Sequence, residues 1–170
     1  FVAATTRIAM ISAPLRSRFS GGIFRLEFYS DKEIEEIIRR SAKILGVEIE
    51  EGAVSEIASR SRFTPRTANY FLKRCRDFAQ MERTALSNDI VAKALDMLGI
   101  DKRGLSPSDR AILSVVIEKF AGGPVGLGTI AAALSEEEET IEEFNEPYLL
   151  QLGFIERTPR GRSATNAARK

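Results

Sequence analysis

Apolar residues in this chain recur at intervals of three and four from residue 34 to residue 149, and only in the closing stretch "GFIERTPRGRSAT" does the interval fall to two. The first spacing lays a stripe along a helix, and the second covers one face of a strand. The fold is therefore mainly α, with a terminal β-hairpin that turns at Thr-Pro-Arg-Gly.

Local signals mark where the helices start and stop. Ser30 followed by Glu33 has the form of a capping box, and Ile34, Ile37, Ile38, Ile44 and Leu45 then share a face until Gly46. A shorter helix is expected around Val54, Ile57 and Ala58. Thr64 and Pro65 supply a cap and a first-turn residue for a helix striped by Ala68, Phe71, Leu72, Cys75, Phe78 and Ala79. Ser87 is expected to cap a helix that turns Ile90, Val91, Ala94, Leu95 and Leu98 inward and ends at Gly99. After the polar linker "DKRGLSP", Ser106 and Pro107 open a helix through Ile112, Leu113, Val116 and Phe120. "AGGPVGLG" breaks the chain, an alanine-rich helix runs to Leu134, and Ser135 is expected to cap a third helix carrying Ile141, Phe144, Tyr148 and Leu149. Three helices and a hairpin are the outline of a winged helix.

Residues 1–29 read differently: a short strand "FVAAT", a loop at Pro14, the arginine pair of "PLRSRF", a turn at Gly21 and Gly22, and a strand-like run "IFRLEFY". Such a segment is too small to cover both faces of a sheet. It is expected to complete a larger domain, and the chain is expected to be a truncated piece.

Composition narrows the chemistry. Hydrophobic residues make up 44% of 170, enough for one good-sized core or two small ones. With no histidine and one cysteine, the chain can build neither a disulfide framework nor a Cys/His zinc site, and catalysis through imidazole is excluded. Cys75 falls on an apolar stripe with no base to activate it, so it is expected in the core. No apolar run reaches the ~18 residues a bilayer span needs. Reducing cytoplasm is the expected location.

The net charge of +1 conceals two basic clusters. Residues 151–170 carry Arg157, Arg160, Arg162, Arg169 and Lys170 against Glu156 alone, so the hairpin is expected to be a basic finger for nucleic-acid phosphates. Arg60, Arg62, Arg66, Lys73, Arg74 and Arg76 form the second, without an acid from 60 to 76. Most of these are expected to face solvent. Arg66 differs, because it follows Pro65 at a helix start, where guanidinium and backbone amides together could meet an anion. Residues 136–146 hold seven glutamates and no base, so the helix that would ordinarily read DNA bases is expected to be a solvated or partner-facing surface.

In order along the chain, "ATTR", "PLRSRF", "RLEFY", "TPRTAN", "RDFAQ", "ALDMLG", "IEKFAGGPVGL", "EPYL" and "GFIERTPRGRSAT" resemble the motifs of the RuvB family, bacterial Holliday-junction branch-migration motors of the AAA+ class. The resemblance covers essentially every residue. It implies that residues 1–29 are the C-terminal remnant of the large α/β ATPase domain, with sensor 1 and the arginine finger. Residues 30–101 would be the small helical lid, and residues 102–170 the winged-helix DNA-binding head. It further implies an ATP-dependent DNA helicase of recombination and repair, forming a homo-hexameric ring on double-stranded DNA at four-way junctions in the bacterial cytoplasm. RuvA and RuvC are the implied partners, and no membrane is involved. ATP and Mg²⁺ would be bound mainly by residues absent here, since no GxxxxGK[ST] loop occurs, and the chain alone is expected to be inactive.

By the same resemblance Arg18 is the arginine finger offered to a neighbouring subunit's ATP, and Arg16 is a structural or interface residue. Thr5 or Thr6 senses the γ-phosphate, Tyr29 packs near the base, and Arg66 is the sensor arginine of the lid. Arg157 and Arg162 contact DNA, with Arg160 the weaker candidate; no residue is implied as a metal ligand. Phe63 stands where the family usually has glycine, "SGGIF" is one residue longer than the usual spacing, and Glu138 stands where the family has a DNA-contacting arginine. The alternatives are a free-standing winged-helix regulator, which would need base-reading side chains on its acidic third helix, and a non-enzymatic adaptor whose bundle docks proteins.

Overall fold

The helical stripes fall into two groups separated by the turn at residues 101–104, and each group closes its own apolar core. The computed structural model describes residues 2–5, 8–19 and 21–169. The first core belongs to α2 (Asp31–Leu45), α3 (Glu51–Arg60), α4 (Pro65–Glu82) and α5 (Asn88–Met97), with α2 and α5 both packed on α3 and α4. Preceding them are a 3₁₀ turn, Ile8–Met10, and the single helical turn α1, Ala13–Arg16.

Capping fixes the bundle's helix ends. Ser30 accepts from the Glu33 N–H at 3.4 Å while the Glu33 carboxylate accepts from the Ser30 N–H at 2.8 Å, the reciprocal box expected at α2. Gly46 ends that helix with φ 64°, a left-handed conformation that costs glycine little. Thr64 caps α4 by accepting from the Thr67 N–H at 3.4 Å, with Pro65 in the first turn. Cys75 is fully buried on the α4 stripe, as its spacing required.

The second core is built by α6 (Pro107–Ser114) with its π-turn extension Val115–Lys119, α7 (Leu127–Leu134), and a long interrupted helix. That last helix comprises α8 (Glu138–Thr140), the π-turn Ile141–Asn145 and α9 (Glu146–Gln151). The hairpin follows, β1 (Ile155–Thr158) antiparallel to β2 (Gly161–Ala164), with Arg157 opposite Arg162 and a Pro159-Arg160 tip. Val125 pairs with Arg162 through hydrogen bonds of 2.9 and 2.7 Å and so adds a one-residue third strand. A Cβ at Gly161 would collide with the Val125 backbone, and Gly161 has φ 135°, so only glycine fits there. Mainly helical, a small bundle followed by a winged helix: this is the fold class the periodicity and the resemblance predicted.

Several expectations are corrected. Residues 2–5 and 23–29 form no strand, because a strand exists only beside a ladder partner and none lies alongside among the described residues. Phe1 lies outside the described residues. Ser135 does not start the third helix of the head; it ends α7 in a left-handed conformation with φ 55°, and Glu137 takes the N-cap of α8. Ser87 occupies the N-cap of α5 without a side-chain cap bond. Ile44 and Phe144, both expected inward, are each 73% exposed. Each lies off the buried stripe of its helix; the π-turn shifts the Phe144 register relative to Ile141 and Leu149. No helix among the described residues is long and apolar enough to cross a membrane.

Candidate functional site

Arg18 lies just past the Ser17 C-cap of α1 and is exposed, with its N–H donating to the Leu15 carbonyl at 3.1 Å. Arg16, at the end of α1, is also exposed, and among the described residues neither guanidinium pairs with a carboxylate. Thr5 lies in irregular, exposed chain, while Thr6 falls outside the described residues.

The Tyr29 backbone is tied to the loop that leads into Arg66. Arg66 is the second residue of α4, exposed, at the end of the helix where the backbone dipole is positive. The Tyr29 N–H donates to the Phe63 carbonyl at 3.4 Å, which puts an exposed aromatic ring's backbone three residues upstream of Arg66. A guanidinium at a helix N-terminus suits a nucleotide's phosphates, and an exposed aromatic ring suits its base.

The other arginines of the 60–76 cluster are ion-paired; the expectation that most of the cluster faces solvent fails at Arg60, which is buried, and Arg62, which is largely covered, while Arg74 is exposed as expected. Arg60 is 2% exposed; it pairs with Glu56 and, at 3.3 Å, with Asp96, and donates to the Ile100 carbonyl at 3.1 Å. Arg62 pairs with the fully buried Asp109. Arg74 and Arg76 share Asp77 at 3.0 and 2.6 Å, and together they hold its carboxyl below the ordinary range, the Arg76 hydrogen bond being the main cause. Arg66 is the one arginine of the cluster without a carboxylate among the described residues. Lys73 is exposed as expected.

At the wing the acidic helix and the basic hairpin meet. Glu146 is 1% exposed and accepts from Arg157 Nε and Nη2 at 2.9 Å each, and from Arg162 Nε and Nη2 at 2.9 and 3.0 Å. Glu142 stands 3.6 Å from Arg157 and 3.7 Å from Arg162. Burial pushes the Glu146 carboxyl up, but the hydrogen bonds from Arg162 and Arg157 and their charges outweigh it, so its pKa falls below the ordinary 4.5. The acidic helix is thus not wholly a solvated or partner-facing face: two of its glutamates neutralise the base of the wing. Arg157 keeps half of its side chain exposed, Arg162 only 17%, while Arg160 stands exposed at the tip.

Reading the sequence missed Glu146, Asp109 and Asn145 as buried polar anchors. Asn145 donates to Asp109 at 2.7 Å, and both are enclosed by the second core. The Ser106 to Asp109 spacing was the one available signal, since Asp109 completes a capping box with Ser106.

Known proteins place this geometry. Residues 29–101 match the family model described as the RuvB AAA lid domain, and residues 102–170 match the RuvB C-terminal winged helix domain. The Holliday junction branch migration complex subunit RuvB of Dehalococcoides mccartyi strain CBDB1 is 58% identical over 98% of this chain and 48% of its own length. Its counterpart from Koribacter versatilis strain Ellin345 is 54% identical over 98% of this chain and 46% of its own. The chain spans about half the length of the curated relatives it matches. Among solved structures, the Thermotoga maritima RuvB Holliday junction branch migration motor superposes with TM-score 0.87 at 50% identity, over 94% of this chain and 54% of that one. A point-mutant form of the same protein gives TM-score 0.89 over 96% and 55%. A helical lid, a winged helix with a glycine-locked hairpin, and homology at this level across both lead to one conclusion: the chain belongs to the RuvB family.

Proposed function

We propose that this chain is the lid and DNA-gripping head of an ATP-driven branch-migration subunit, residues 30–101 and 102–170 respectively, with residues 1–29 contributing the edge of the large ATPase domain. The observation that carries the proposal is the state of Arg66: every other arginine of its cluster is bound to a carboxylate, whereas Arg66 opens a helix exposed and, among the described residues, without a carboxylate partner.

ATP with Mg²⁺, held mainly by residues outside this chain, supplies phosphoryl-transfer chemistry when bound. Arg66 binds phosphates of its own subunit's nucleotide, and Tyr29 lies against the base. Thr5 or Thr6 detects the γ-phosphate. Arg18 extends from its short helix toward the nucleotide of the next subunit in a hexamer, where a trans-acting guanidinium is worth about 10³–10⁵ in rate. The full-length protein is then an ATP-dependent helicase of the bacterial cytoplasm, acting with RuvA and RuvC on double-stranded DNA at four-way junctions. The chain alone does not turn over ATP.

The head grips phosphates and reads no bases, since its third helix presents carboxylates to the groove. Arg160 at the tip engages directly. Arg157 offers its exposed half, and Arg162 supports the strand beside it. Two or three phosphate contacts per head give a log–log salt slope of roughly −2 to −3 on duplex DNA. A slope near zero removes the DNA assignment. The finger is tested separately by mixing the chain with full-length subunits that lack the finger arginine. Restored ATP turnover, lost again with Arg18→Lys, is expected, because lysine lacks the planar fork; equal turnover with either residue overturns the finger role.

A further inference from the structure

The loop between α3 and α4 holds two consecutive non-glycine residues in the left-handed region, Arg62 at φ 54° and Phe63 at φ 55°. Bulky residues stay there only when their surroundings hold them. Here what holds them belongs to the other core. The Arg62 guanidinium pairs with buried Asp109, its Nε donates to the Gly104 carbonyl at 3.3 Å, and it lies 4.9 Å from the Tyr148 ring centroid. The Phe63 ring packs on the head core, tilted 54° to Tyr148 at 6.4 Å between centroids. Tyr148 is fixed in turn by donating to the Arg103 carbonyl at 2.6 Å, and Gly104 passes so close that a Cβ there would stand 2.7 Å from the Arg60 carbonyl. The backbone of residues 62 and 63 is bundle and their side chains are head.

The next residue, Thr64, caps α4, and Arg66 sits in its first turn. We propose that Arg62 and Phe63 are positioning residues for Arg66: the head holds both side chains, thereby sets the direction in which α4 begins, and so moves as one body with the phosphate-facing guanidinium. The Tyr29 N–H on the Phe63 carbonyl ties the start of the lid to the same point. The ligand assumed for Arg66 is that of the reading above; the joint itself stands on the contacts alone.

Two variants test it. Arg62→Ala removes the clamp but strands Asp109, so Phe63→Gly is the cleaner change: it accepts φ 55° and leaves no buried charge unpaired. In this chain, spin labels at Lys93→Cys on α5 and Gln151→Cys on α9 report the joint by their distance distribution, Cys75 being fully buried. A single narrow distance is expected, broadened in both variants. A distribution already broad without them, or unchanged with them, overturns the rigid joint. In the full-length ring, Arg62→Ala is expected to cut DNA stimulation of ATP turnover about five-fold or more while duplex affinity stays the same. Stimulation that survives overturns the coupling, as does affinity that falls in step with it. If the unsubstituted ring shows no ATP turnover, the role given to Arg66 fails and the coupling with it, whereas the label distances still decide whether lid and head are one body.

Discussion

Glu146 and Arg162, sixteen residues apart, form a two-pronged pair with both carboxylate oxygens bound at 2.9 and 3.0 Å and the carboxylate enclosed by protein. The same two oxygens serve Arg157. One buried glutamate therefore ties α9 to both strands of the wing, and the guanidiniums expected to face DNA are first of all the wing's attachment.

Replacing that carboxylate leaves two arginines without their shared partner. Glu146→Ala is expected to cost about 3 kcal/mol, the lower end for breaking a buried pair because Arg157 can rehydrate, whereas Glu142→Ala, at a more exposed pair, costs less than about 1 kcal/mol. Urea unfolding monitored in the head compares the two; equal losses would show that Glu146 is not the anchor.

Acid should loosen the wing in a defined direction. The folded Glu146 pKa lies below the ordinary 4.5, so its contribution to stability is complete above that value and is lost as pH falls through the lower folded value. Glu146→Gln should flatten this dependence. Stability measured from pH 6 down to about pH 3 checks the sign, and a head that gains stability on acidification contradicts it.

Cys75 should be inert while the bundle is folded. Burial pushes its thiol up to about 12, and its side chain has no exposure, so thiolate and access are both lacking. A thiol-reactive dye is expected to label it only in denaturant. Rapid labelling of the native chain would mean that the α4 stripe opens.

The arginines of the wing should separate by salt dependence. Arg160→Ala is expected to reduce the magnitude of the log–log salt slope for duplex DNA by about 0.9 with no loss of folding stability. Arg162→Ala is expected to destabilise the head, since only 17% of that side chain is exposed and it is held by Glu146. Binding titrations across salt, paired with unfolding curves, distinguish the two. Identical behaviour in both assays would erase the division of labour.

The sequence by itself determined where most of the helices begin and end and most of their apolar faces. Ser30 with Glu33, Thr64 with Pro65, Ser106 with Pro107, and the stops at Gly46 and Gly99 act through hydrogen bonds a few residues long, and such signals are complete in the local chain. The stripe that buries Cys75 and the alternation around the Thr-Pro-Arg-Gly turn are equally local. The exposure of Arg66 at a helix start was foreshadowed by its place after Pro65. Tertiary structure alone decided which charges are spent. Arg62 meets Asp109 forty-seven residues away, from one core to the other, and Arg157 meets Glu146 eleven away within the head, pairings that exist only once the chain has packed. Residues 2–5 and 23–29 have no ladder partner among the described residues, and Ser135, an expected helix start, is a helix end. Periodicity and capping reach about one helical turn along the chain, whereas ion pairs and strand ladders depend on which distant segments the core brings side by side.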